Sequence, residues 1–212
     1  MSRASPSEQR QRPDASRQQL VDVAIDCFAL HGFQGTSIDR IARAAGVTKG
    51  ALYYHFRDKE DLLLEAVKNR IGEFERHVLD AVAASDDTYE RLKRVVDACF
   101  VTATASNHRR FIITLMVEAL DTNPRLSEQF RKVLRRMRGF LADVIADGQR
   151  RGTMRLDVAP VDAAALIAGT IMGAEIQHYQ DPGEVDLRRV LDAHLHQLAD
   201  WLVPRDGGAG QA

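Results

Sequence analysis

Cysteine is scarce: the 212 residues hold two, Cys27 and Cys99. Both fall among apolar residues at helical spacing, which marks them as buried, reduced thiols and excludes a disulfide-stapled fold. An excess of one charge is also lacking. Twenty-nine Lys and Arg face thirty Asp and Glu, a net charge of −1. That excludes a protein that coats nucleic acid indiscriminately but leaves room for a local basic surface. Long apolar runs are missing too. The longest uncharged one, Ala163 to Ala174, is bounded by Asp162 and Glu175 and falls short of the roughly 20 residues that span a bilayer. Residues 1–19 have no apolar stretch and are rich in Ser, Arg and Gln. No signal peptide and no membrane partner are therefore expected, and the expected location is cytoplasmic.

Catalytic and metal patterns do not assemble either. The seven histidines never reach ligand spacing; His194 and His196 on one helix would point their rings about 200° apart. No Ser-His-Asp set, phosphate loop or cysteine cluster stands out, so neither an enzyme nor a cofactor is expected. What is present, 45% hydrophobic and 28% charged residues, suits a soluble globular chain.

The informative stretch is Thr36 to Phe56, TSIDRIARAAGVTKGALYYHF. It predicts two short helices joined by a tight turn. Thr36 caps the first, with Asp39 returning the bond, and Ile38, Ile41, Ala42 and Ala45 form its inward stripe. Gly46 sits where the helix must stop, and Thr48 caps the second helix. There Leu52 and Phe56 share the inward side, while Gly50 and Tyr54 fall opposite, with Lys49 and Tyr53 on the flank. Two adjacent tyrosines in one short helix cannot both face the same core. This is the layout of a helix-turn-helix, whose second helix enters the DNA major groove.

The run IARAAGVTKGALYYHFRDKEDLL closely resembles the DNA-binding domain of the TetR (tetracycline repressor) family of bacterial regulators. The resemblance covers about residues 16–67, with the T-S-I start, A-G-V turn, Leu-Tyr-x-His-Phe helix and Lys-Glu-x-Leu in order. It implies that Thr48, Lys49, Gly50 and Tyr53 meet base edges of double-stranded operator DNA, and that Thr36, Ser37, Tyr54, His55 and Lys59 hold phosphates. Position 39 departs from some relatives, which read a base there with a basic residue; Asp39 repels phosphate, and Arg40 or Arg43 is the candidate substitute.

The expected fold is all-α. A disordered arm (1–15) precedes a three-helix DNA-binding domain (16–66), a larger helical regulatory and dimerisation domain (67–205) and a disordered tail (206–212). The first helix starts from a Ser16-x-x-Gln19 box and stops at Gly32. A long fourth helix begins at Asp58. Further helices are expected near Tyr89–Ser106, Arg109–Leu120, Pro124–Arg151, Val161–Gln180 and Glu184–Val203, with Met154–Val158 extended. The basic run Arg131, Lys132, Arg135, Arg136 and Arg138 reads as the solvated face of an amphipathic helix.

Small residues crowd the helix near Val161–Gln180. Ala168, Gly169 and Gly173 either pack internally or form a homodimer interface, and the latter suits a helix-turn-helix that needs a two-fold mate. The resemblance implies a four-helix interface here. Phe100, Phe111, Met116, Phe140 and Met172 either fill the core or wall a cavity for an apolar small-molecule effector. Glu118, Glu175 and His178 pair, face solvent or orient that effector. The expected function is a ligand-responsive repressor of a palindromic operator; the alternative is a helical DNA-architectural or interaction protein without a ligand.

Overall fold

The computed structural model describes residues 13–204, with side chains from residue 17. The helices among the described residues are α1 (Pro13–His31), α2 (Ile38–Ala44), α3 (Lys49–His55), α4 (Lys59–Ala83), α5 (Thr88–Ala105), α6 (Asn107–Thr122), α7 (Pro124–Arg150), α8 (Pro160–Gln180) and α9 (Leu187–Leu202). No strand occurs among these residues. They form two compact units, one ending at Glu73 and one beginning at Phe74. α4 supplies residues to both, and the expected boundary at 66/67 also falls inside it. α1 is already helical at Pro13, ahead of the expected start at Ser16. The rest of the expected arm and the tail over 206–212 lie outside the described residues.

In the first unit, α1 turns Leu20, Val21, Ala24, Ile25 and Phe28 inward, each at most 1% exposed. α2 adds Ile41 and Ala42, α3 adds Leu52 with Phe56 just past its end, and α4 adds Leu62, Leu63, Ala66 and Val67, all buried. α2 and α3 have seven residues each, too short to persist alone. Each buried aliphatic side chain contributes roughly 1.5–3 kcal/mol, so this shared layer holds them. Gly46 takes φ +67° between α2 and α3, a left-handed turn that glycine adopts without a Cβ penalty.

The second unit is built from the end of α4 and α5–α9. Its core includes Val96, Leu141, Ile145, Ala163, Ala164, Ile167 and Leu191. Each helix from α5 to α7 has a side-chain cap: Asp87 accepts from Glu90 N–H, Ser106 from His108 N–H and Asn123 from Leu126 N–H. Asp186 accepts from Arg189 N–H and starts α9 at Leu187 rather than Glu184. Cys99 is buried here, and burial pushes its thiol up to about 12, where it stays protonated and inert. Cys27 is likewise buried and free.

Met154–Val158 is not a strand. The side-chain amide of Gln149 donates to the carbonyls of Arg155 (2.8 Å) and Val158 (2.7 Å), and Arg155 N–H donates to the Leu202 carbonyl at 2.8 Å. These bonds satisfy the extended-looking stretch without a neighbouring strand. Gly148 makes the fold-back close: a Cβ there would lie 2.4 Å from Met154 Cγ and 2.7 Å from Thr88 Cγ2.

Candidate functional site

α3 presents the surface that the sequence predicts. Thr48 caps it, its hydroxyl accepting from Ala51 N–H at 3.2 Å. Leu52 is 1% exposed, whereas Tyr53 and Tyr54 are 49% and 79% exposed. Lys49 and Gly50 are exposed on the same helix, and His55 is half-buried with its ring edge-on to Tyr54, 5.0 Å between centroids. A Cβ on Gly50 would meet only Thr48 Oγ1, at 3.8 Å, so the glycine keeps this face low rather than relieving an internal clash.

Two expected phosphate contacts have internal duties instead. Thr36 is 1% exposed, and its hydroxyl lies 3.1 Å from the Cys27 carbonyl and 2.8 Å from that of Gly32, donating inward. Ser37, one residue on, is the actual cap of α2, accepting from Arg40 N–H at 3.2 Å, and it is exposed. The correction is one residue, and its cause is that Thr36 ties the α1–α2 turn to α1. Lys59 is drawn inward in the same way. Its ammonium donates to the carbonyls of Phe33 (2.8 Å) and Thr36 (3.0 Å) and sits 4.2 Å from the Phe33 ring centroid. Lys59→Met is therefore expected to cost about 1–3 kcal/mol through the loss of two charge-assisted bonds, although the Phe33 carbonyl keeps the Thr36 N–H at 3.3 Å; a lowered denaturant midpoint measures it. An unchanged midpoint would return Lys59 to a purely DNA-facing role.

Asp39, read from sequence as the return half of a Thr36 cap and as a misfit toward phosphate, has its partner on α3 instead. Its Oδ2 accepts from Lys49 Nζ at 3.2 Å, linking the outer faces of α2 and α3. The pairing spans ten residues, beyond the three- and four-residue spacings that flag helix partners.

In the second unit, a cavity of about 190 Å³ lies among α4, α5 and α7. Phe74, Val78, Val95, Met137, Phe140 and Leu141 are among its apolar walls. Glu75 and Arg136 also line it, joined by Arg136 Nε and Nη2 donating to Glu75 Oε1 at 3.0 and 2.8 Å. Of the eight residues expected to bind a ligand, Phe140 alone lines this cavity. Glu118 faces solvent. His178 Nδ1 lies 2.8 Å from the Val185 carbonyl. Glu175 is 0% exposed and grips Arg109 through both oxygens, at 3.0–3.2 Å, so it is a structural partner rather than a ligand group. Phe100 carries the Arg188 guanidinium 5.1 Å above its ring. Phe111, Met116 and Met172 are half-buried away from this cavity.

The expected dimer residues also divide. Ala168 is 6% exposed and belongs to the chain's own core. Gly169 is exposed and Gly173 half-buried, and a Cβ on either would meet nothing within 4 Å. The same side of α8 exposes Leu166 (57%) and Ile176 (38%).

Comparison with known proteins follows this division of the chain. Residues 20–66 match the bacterial regulatory proteins of the tetR family. Residues 88–200 match the C-terminal domain of BetI-type transcriptional repressors, which is more than half of the chain. The chain belongs to the TetR family. This TetR-family chain is 26% identical over 153 residues to the fatty acid metabolism regulator protein of Bacillus subtilis (strain 168), covering 72% of the chain and 78% of the relative. It has the fold of a TetR transcriptional regulator from Chloroflexus aurantiacus J-10-fl (TM-score 0.85, 24% identity), with 92% of this chain and all of that one covered. A transcriptional regulator from Saccharomonospora viridis, solved in complex with choline, shares the fold at TM-score 0.82 and 22% identity, covering 91% of this chain and all of that one. The TetR-family assignment makes the chain a transcription regulator, all-helical, with an N-terminal helix-turn-helix and a larger helical C-terminal part. Among the described residues no helix is long and apolar enough to cross a membrane.

Proposed function

We propose that the chain is a homodimeric repressor that reads a near-palindromic operator through α3 and releases it when a mostly apolar small molecule enters the second unit. The observation that carries the DNA half is the outward surface of α3, where Lys49, Gly50, Tyr53 and Tyr54 are all exposed while Leu52 and Phe56 are seated in the core. An apolar side anchored in the domain and a polar side presented outward is what a major-groove reader requires. In this reading Thr48, Lys49, Gly50 and Tyr53 face bases, and Ser37, Tyr54 and His55 hold the backbone. The outward face of α8 at Gly169 and Gly173 supports the two-fold mate.

The apolar cavity favours a ligand-responsive protein over an architectural one, and the regulator solved with choline supports a small molecule as effector in this fold. α4 lines the cavity with its later residues and reaches the DNA-binding unit with its earlier ones. A shift of this helix on binding couples the two sites. A coupling of about 1–3 kcal/mol gives five- to 150-fold release.

The test is base reading by Lys49. Lys49→Ala is expected to weaken the preferred operator by about 1–3 kcal/mol and to relax preference at one base step. Competition assays on a library of operator variants measure both. Equal losses on operator and scrambled DNA would make Lys49 a backbone contact and remove α3's leading residue from sequence reading.

A further inference from the structure

Resting on the reading of the α4–α5–α7 cavity as the effector site, we infer that the effector is an amphiphile with an anionic head. Arg136 is its recognition residue and Glu75 its built-in competitor. The walls are apolar, so an occupant's body must be apolar, and about 190 Å³ compares with the roughly 150 Å³ cavity that takes a benzene. A short chain or single ring fits.

The charged groups decide the head. Arg136 and Glu75 are both solvent-accessible, their side chains 56% and 34% exposed. Glu75 uses one oxygen, Oε1, for both of the arginine's N–H groups. It thus forgoes the two-oxygen fork that is the strongest carboxylate geometry for a guanidinium. A ligand carboxylate, free to orient, supplies that fork.

The surroundings favour the same sign. On α7, Arg136 is the one residue of the basic run that lines the cavity; Arg135 and Arg138 stand about 100° and 200° round the helix from it. Lys132, one turn earlier, reaches only Glu128, at 3.8 Å. This basic edge draws an anion and repels a cation. A cationic head needs open aromatic faces, and the lining offers only Phe74 and Phe140. The Arg109 guanidinium already covers Phe74, 5.0 Å from its centroid. Arg136, which reads from sequence as part of a solvated helix face, thereby becomes the rim of the site.

Three eight-carbon probes isolate the head: octanoate, octanol and octyltrimethylammonium, at equal concentrations below aggregation, with the full chain. Thermal stabilisation and release of operator DNA are both recorded. Octanoate is expected to stabilise most, octanol less and the ammonium least. Arg136→Gln should weaken octanoate about tenfold, to the level of octanol, and leave octanol unchanged. Arg136→Lys should recover part of the loss, and Glu75→Gln should tighten octanoate by freeing the guanidinium. Stronger binding of the ammonium than of octanoate, lost in Glu75→Gln, would overturn the anionic head while keeping the cavity as the effector site. Equal stabilisation by octanoate and octanol, unmoved by Arg136→Gln, would likewise overturn it. Failure of all three probes to stabilise the protein or release DNA would overturn the effector site itself, and the inference with it.

Discussion

Glu175→Ala is expected to destabilise the second unit by about 3–5 kcal/mol, because it leaves the Arg109 guanidinium buried without its counter-charge. The carboxylate is fully enclosed and Arg109 only 13% exposed, so water cannot replace the lost partner. Loss of the grip also frees Arg109 from its place above Phe74, removing a tie between α6 and α4. Denaturant unfolding followed by helical circular dichroism measures the change. The double variant Arg109→Met/Glu175→Met should recover most of the loss, since a buried ion pair replaced by apolar groups of similar volume is often neutral or better. If the single variant unfolded at the wild-type midpoint, or the double variant were as weak as the single, the pair would not be the clamp that its geometry indicates.

Gly169→Leu is expected to convert a dimer to monomers without harming the fold. A side chain at this position meets nothing of its own chain, and leucine suits a helix better than glycine by roughly 0.5–1 kcal/mol. Any loss of function must therefore come from what lies opposite α8. Once the second recognition helix is no longer tethered, operator affinity should fall by about 10²–10⁴. Light scattering gives the mass and a binding titration the affinity. A wild-type monomer at micromolar concentration, or a Gly169→Leu variant that stays dimeric with full affinity, would remove α8 as the interface.

The helix-turn-helix is legible from sequence because everything that specifies it is local. The Thr48 cap, the Gly46 turn and the Leu52/Phe56 spacing each act within a few residues, and each holds in the structure. The slip of Thr36 for Ser37 as the cap of α2 arises because both are hydroxyl residues at the right place. Only the carbonyls of Cys27 and Gly32, supplied by α1 and the residue after it, decide which one turns inward. The second unit is less readable for the same physical reason at longer range. Arg136 finds Glu75 across 61 positions and Arg109 finds Glu175 across 66. No periodicity within one helix says which face of another it will meet. Phe140 lines the cavity and Gly169 is exposed, as helical spacing allows, whereas Glu175 is recognisable from sequence only as a carboxylate that needs a partner.

The Lys49–Asp39 bond has a consequence for how quickly the protein lets go of the wrong DNA. Random duplex attracts a protein through its phosphates, and the attraction grows with every cation offered. A lysine that already carries its own counter-ion offers little of that attraction, and the aspartate beside it resists a passing backbone. In the proposed reading of α3, the bond yields only where a base acceptor comes into better reach of Lys49 than Asp39 is. On that reading a chain with almost no net charge gains selectivity from reluctance: brief visits almost everywhere, and a long stay at the site that repays the broken bond.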